Sequence, residues 1–151
     1  MKKYLFTFLL ALITGFFLSV VFIKQYNDFS GIKVSGTGEE LYFIQYGVFS
    51  SLESMEKETI NLTNYVYSNI ENMYYVYIGI TKNDDNANKI VKYYKDLGYD
   101  TIIKKYEITN KTFLKTIDNY DKILLETNDN TAIASLINET LIKYEEEVIN
   151  G

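Results

Sequence analysis

The pattern of hydrophobic and polar positions divides the chain into four stretches. From Tyr4 to Ile23 no residue is charged and nearly all are apolar. A helix over residues 4–23 rises about 1.5 Å per residue and reaches roughly 30 Å, the thickness of a bilayer's hydrocarbon core. Lys2 and Lys3 precede it, which keeps the N-terminus cytoplasmic and sends the rest of the chain outside. A cleaved secretory signal would have an apolar region of about 7–15 residues and a small-residue cleavage site. The longer run here makes an uncleaved transmembrane helix the expectation. Over residues 24–40 the periodicity lapses, and Gly31, Ser35, Gly36 and Gly38 make a flexible tether averaging about 20–25 Å.

The third stretch, residues 41–107, alternates between two periods. Leu41 to Phe49 is β-rich and runs into Ser50 and Ser51, either of which can cap a helix with Glu53 in its first turn. Leu52, Met55, Thr59 and Leu62 form the apolar stripe of that helix. Tyr65–Ile70 and Tyr74–Thr81 read as strands joined by a turn at Glu71-Asn72. Asn83 or Asp84 caps a second helix carrying Ala87, Ile90, Val91 and Tyr94 inward, Gly98 stops it, and Tyr99–Tyr106 is the last strand. Gly47 and Gly79 are expected where strands end and turn toward helices, positions that demand positive φ or close backbone approach.

The order β-α-β-β-α-β predicts an α+β fold: a four-stranded antiparallel sheet with both helices on one face. Alternation along the strands then assigns the open face. Ile44, Tyr46, Tyr74, Val76, Ile78, Thr101 and Ile103 turn toward the helices. Phe43 and Gln45 on the first strand, Met73, Tyr75 and Tyr77 on the third, and Ile102 and Lys104 on the last remain outside. A face of rings, one amide and one lysine differs from an ordinary solvated face.

The last stretch, residues 108–151, has apolar positions at Phe113, Leu114, Ile117, Tyr120, Ile123 and Leu124, then at Ile133, Leu136, Ile137, Leu141, Tyr144 and Val148. Both sets recur at three and four, so two amphipathic helices broken near residues 127–130 are expected. The ordinary reading is a helical pair packed on the module or on itself, and the sharper one is a surface for a partner.

Composition narrows the chemistry. The chain contains no His and no Cys, which removes the commonest general base, thiolate metal ligands and every Ser-His or Cys-His nucleophile. All 15 basic residues are Lys and the net charge is −5, a poor match for phosphate backbones, so nucleic acid is not expected. Adjacent carboxylates such as Glu39-Glu40 and Asp84-Asp85 sit at the tether and at a helix start, where they serve solubility and the helix dipole. Glu145-Glu146-Glu147 reads as a solvated end. No catalytic, metal-binding or cofactor-binding residue is expected.

Tyr42-Phe-Ile-Gln-Tyr-Gly-Val-Phe-Ser-Ser51, Val76-Tyr-Ile-Gly-Ile80 and Leu97-Gly-Tyr-Asp-Thr-Ile-Ile-Lys104 occur in the order and spacing of three segments characteristic of SPOR (sporulation-related repeat) domains. Residues 41–107 therefore resemble that family. The resemblance implies a βαββαβ fold carried on a single-span bacterial membrane protein of division or sporulation. It also implies a sheet face that binds peptidoglycan glycan strands stripped of their peptides. Gln45 stands at the family's first-strand Gln, and Gly47, Phe49 and Gly79 at framework positions. Val48 replaces a frequent Ser, and Met73 and Tyr75 replace a frequent aromatic and Arg. The implied glycan-binding set is Phe43, Gln45, Met73, Tyr75, Tyr77, Ile102 and Lys104. The alternative is a module of the same fold whose aromatic face docks on a protein of the envelope or on the C-terminal helices.

Overall fold

The computed structural model describes residues 38–151. The expected transmembrane helix 4–23 and nearly all of the tether lie outside the described residues. Among the described residues no helix is long and apolar enough to cross a membrane.

The elements are β1 (Glu39–Phe49), α1 (Leu52–Thr59), β2 (Val66–Ile70), β3 (Met73–Thr81), α2 (Asp84–Asp96), β4 (Ile102–Ile108), α3 (Lys111–Glu126) and α4 (Asn130–Tyr144), followed by a π-helical turn, Glu145–Ile149. The strands form one antiparallel sheet in the order β2-β3-β1-β4. β1 and β3 are its central strands, as the βαββαβ order requires.

Each helix begins on a side chain suited to the task. Ser51, Asn83, Asn110 and Asp129 accept from the backbone N–H groups of Ser54, Asn86, Phe113 and Ala132, supplying acceptors that the first helical turn lacks. Glu71 and Asn72 both adopt positive φ, 52° and 63°, the geometry of a two-residue hairpin turn whose twist matches the strands. Gly98 has φ 88°. Its N–H bonds to Lys95 O at 3.0 Å and that of Tyr99 to Tyr94 O at 2.9 Å, a Schellman closure. Tyr99 thus still belongs to the end of α2. The last strand begins at Ile102, three residues later than alternation predicts, and runs on to Ile108.

Two register shifts interrupt the β1–β3 ladder, between Ile44 and Gln45 and between Gln45 and Gly47. Ile44 pairs with Gly79 but Gln45 pairs with Tyr77. The extra residue lets Gly79 face the helices while Tyr77 faces the opposite side. Gly79 therefore lies within β3 and not at a strand end. Neither it nor Gly47 is among the glycines of positive φ. What requires glycine at 79 is space: a Cβ there would lie 2.9 Å from Ile90 Cγ2 of α2. Gly79→Ala is expected to destabilise the fold by about 1–3 kcal/mol through overpacking, read as a lower denaturation midpoint. An unchanged midpoint would mean that Ile90 yields at no cost.

The helix side of the sheet buries Ile44, Val76, Met55, Ala87 and Ile90. Leu52, expected in the α1 stripe, is exposed, as is Ile123 of α3. One hydrophobic cluster runs from the sheet into the C-terminal helices, taking in Phe113, Leu114, Ile117, Leu124, Ile133, Ile137 and Leu141. α3 packs beside α2, and α4 packs on α3, α2 and β3. Two polar fasteners hold α3 there. The Lys89 ammonium donates to the carbonyls of Leu124, Leu125 and Thr127 at 2.7, 3.0 and 2.8 Å, placing a cation on the carbonyl end of α3. The buried Asp121 carboxylate accepts from the Thr81 hydroxyl, from Lys82 N–H at 2.7 Å and from Asn86 Nδ2 at 3.1 Å.

Candidate sheet-face site

The sheet face turned away from α1 and α2 is the natural place for a ligand, and β1, β3 and β4 aim the expected side chains at it. Its two halves differ sharply. In one, Phe43 is 2% exposed and Tyr77 4%. Phe43 meets Tyr77, Tyr106 and Tyr144 edge-on, with ring centroids 5.3, 5.1 and 5.4 Å apart. Tyr144, from α4, also packs edge-on against Phe113 at 5.3 Å. The Tyr77 hydroxyl donates to the Tyr106 hydroxyl at 2.8 Å. Burial, and then the bond to Tyr106, push the Tyr77 phenol well above its ordinary range. Phe43 and Tyr77 were expected on an open face. They lie instead under the end of α4, because a tyrosine there completes a four-ring cluster with Phe43, Tyr77 and Tyr106, and such edge-to-face pairs add to simple area burial. Neither ring is available for stacking on a ligand.

The other half is uncovered. Val48 is 38% and Ile102 49% exposed. Met73, Tyr75 and Lys104 are half-buried. Val48 pairs with Tyr75, Gln45 with Tyr77 on one side and Ile102 on the other, and Phe43 with Lys104. Gln45 sits at the boundary of the halves, 6% exposed, and its Oε1 is buried without a hydrogen-bond partner. Burial first, then the neighbouring Tyr106 and Glu71, raise the Tyr75 phenol above its ordinary value, so Tyr75 is a neutral ring at physiological pH. Of the seven expected residues, the structure brings Gln45, Met73, Tyr75, Ile102 and Lys104 to the uncovered part and its margin.

Sequence reasoning passed over three participants. Val48 was read only as a departure from a family pattern, although it stands beside Tyr75. Tyr106 was within reach, since it follows Ile102 and Lys104 at period two. Tyr144 carried no signal of its face beyond its place in an apolar helical stripe. Among the described residues no group of three or more acidic side chains is placed to hold a metal ion.

These features define a class: a βαββαβ module with one half of its sheet face sealed by its own C-terminal helix and the other half exposed. In solved structures the chain is similar to the peptidoglycan binding domain of the B. subtilis cell wall lytic enzyme CwlC, with a TM-score of 0.39 and 24% sequence identity. That similarity covers 49% of this chain and 96% of the other. No family model and no curated protein matches the chain.

Proposed function

We propose that the chain is a non-catalytic, membrane-anchored protein of the bacterial envelope whose sheet module binds peptidoglycan glycan strands, peptide-stripped and septal, during division or sporulation. The N-terminal apolar run behind Lys2 and Lys3 supports a module held outside the cell membrane, and the short tether supports one held close to it. The observation that carries the reading is Gln45. A buried carbonyl oxygen without a donor costs on the order of 1–3 kcal/mol. With the Gln45 side chain turned outward from this conformation, an acetamido N–H or a sugar hydroxyl supplies the missing donor. Tyr75, Val48, Met73 and Ile102 beside it offer the ring and apolar surface on which the C–H face of a pyranose settles. The site is small and has lost the polar family residues at 48 and 75, so a single module binds weakly, roughly at micromolar Kd or poorer. Several copies in one membrane raise retention through avidity.

The experiment is retention of the full chain, in micelles, on peptide-stripped and intact cell-wall sacculi, with circular dichroism to verify folding. Gln45→Ala and Tyr75→Ala are each expected to cost on the order of 1 kcal/mol, about fivefold in retention on stripped glycan. Equal retention of all three proteins, or equal binding to intact sacculi, would remove the sheet face as a glycan reader. The second reading, docking on an envelope protein, is favoured by one observation: the covered half of the same face already receives a helix, Tyr144 of α4. Under that reading the Ala variants would keep glycan retention unchanged and lose a partner extracted from the membrane.

A further inference from the structure

Between the second half of α2 and α4, lined by none of the residues of the sheet-face site, lies a groove of about 200 Å³. Its walls are the loop after α1, the second half of α2 and the middle of α4. We propose that this groove binds a neutral N-acetylated sugar ring. Three observations point to that chemistry. First, none of its lining residues is charged, although the chain carries 35 Lys, Asp and Glu residues in total, 15 basic and 20 acidic. A phosphate, carboxylate or ammonium would enter without a counter-charge and lose its hydration. Second, the side-chain amides of Asn61 and Asn138, on opposite walls, have no hydrogen-bond partner among the described residues, and Asn64 uses only its Oδ1, accepting from Tyr65 N–H at 2.9 Å. Amides of this kind both donate and accept, which suits hydroxyls and an acetamido group together. Third, Tyr93, Leu97 and Ile137 give the groove an aromatic and aliphatic lining, the partner for the apolar face of a pyranose. The volume falls below the roughly 300–1,000 Å³ of pockets for larger ligands and fits one ring. An extended peptide is the poorer match, because the unpartnered groups are side-chain amides set around a compact hollow and not a row of main-chain donors and acceptors.

The test uses the full-length chain, isotope-labelled, in micelles of a zwitterionic detergent, since an alkyl-sugar detergent would compete. N-acetylglucosamine is titrated while the side-chain amide signals of Asn61, Asn64 and Asn138 are followed by NMR. The expected result is saturable movement of these signals with a Kd of about 1 mM, the range for a ligand of this size. Tyr93→Ala and Asn138→Asp should each weaken binding about tenfold, and Tyr93→Phe, which keeps the ring, should not. Gln45→Ala, outside the groove's lining, should leave the titration unchanged, so this proposal and the sheet-face reading fail separately. Glucosamine, which carries an ammonium in place of the acetamido group, should bind at least about tenfold more weakly. The proposal is overturned if no signal moves up to tens of millimolar, if the movements map to Gln45 and Tyr75, or if N-acetyl-alanyl-alanine amide binds as tightly as the sugar.

Discussion

Phe43→Ala is expected to cost about 3–5 kcal/mol of stability, the range for removing a fully buried aromatic ring. Phe43 sits where β1 meets β3, β4 and α4, touching Tyr77, Tyr106 and Tyr144 at centroid distances of 5.1 to 5.4 Å. Three edge contacts vanish together with the ring. For a domain of this size a loss of that order is a large share of the usual 5–15 kcal/mol, and each kcal/mol lowers Tm by about 4 °C. The measurement also separates two roles. A ligand-stacking ring on an open face leaves Tm nearly unchanged when truncated and weakens only binding. A Tm within a few degrees of wild type would show that α4 does not seal this half of the sheet in solution. Tyr144→Ala should reproduce part of the loss, and the double variant should cost less than the sum, because both act on one contact.

How much of this was legible in the chain depends on the range of the interaction. Local chemistry was readable. Ser51 and Asn83 are caps, Glu71-Asn72 a hairpin turn and Gly98 a helix stop, because each effect acts within about four residues. The sheet order followed from the sequence of strands and helices. The registers did not. Alternation alone leaves Gly79 on the open face, whereas the shift at Ile44/Gln45 turns it toward Ile90, and a bulge of one residue leaves no mark in a run of aromatic and β-branched side chains. A helical stripe says that a face is buried but not what buries it, so Tyr144 could be placed in α4 and not over Phe43. The sheet face thus read as seven ligand-binding residues where two are core. Buried polar groups were the other blind spot. Asn86 adjoins Ala87 and lies one turn before Ile90, and Asp121 falls between Ile117 and Leu124 on the stripe of α3. Both occupy apolar positions in the helical period, and that misplacement was the available signal.

Asp121 is where that signal has its largest consequence. Asp121→Ala is expected to destabilise the protein by about 2 kcal/mol, since it strips the acceptor from Lys82 N–H, worth about 1–3 kcal/mol when left unsatisfied, and takes one of two acceptors from the buried Asn86 amide, which keeps the Asp121 backbone carbonyl at 2.9 Å. The carboxylate is 9% exposed, and α3 is joined through it to the end of β3 and the start of α2. Burial raises its pKa above the ordinary value, against the opposing pull of the bonds from Thr81, Lys82 and Asn86, and nearby Asp118 adds to the rise. The pH dependence follows from that direction. A carboxyl whose folded pKa exceeds its unfolded one binds its proton more tightly in the folded state, so its contribution is complete below the ordinary carboxylate pKa of about 3.9 and is lost as pH rises through the folded value. On protonation the Thr81 hydroxyl becomes the acceptor, while Lys82 N–H keeps the second oxygen. Asp121→Asn has nearly the same shape but cannot titrate, and its amide turns an N–H group toward a donor whichever way it sits. The stability difference between wild type and Asp121→Asn, measured by denaturant titration at a series of pH values, should therefore widen as pH falls from neutrality toward about 4. Titrations elsewhere in the chain largely cancel in that difference. A gap that narrows on acidification would mean that the three hydrogen bonds outweigh burial, and that Asp121 fastens α3 as a stabilised anion.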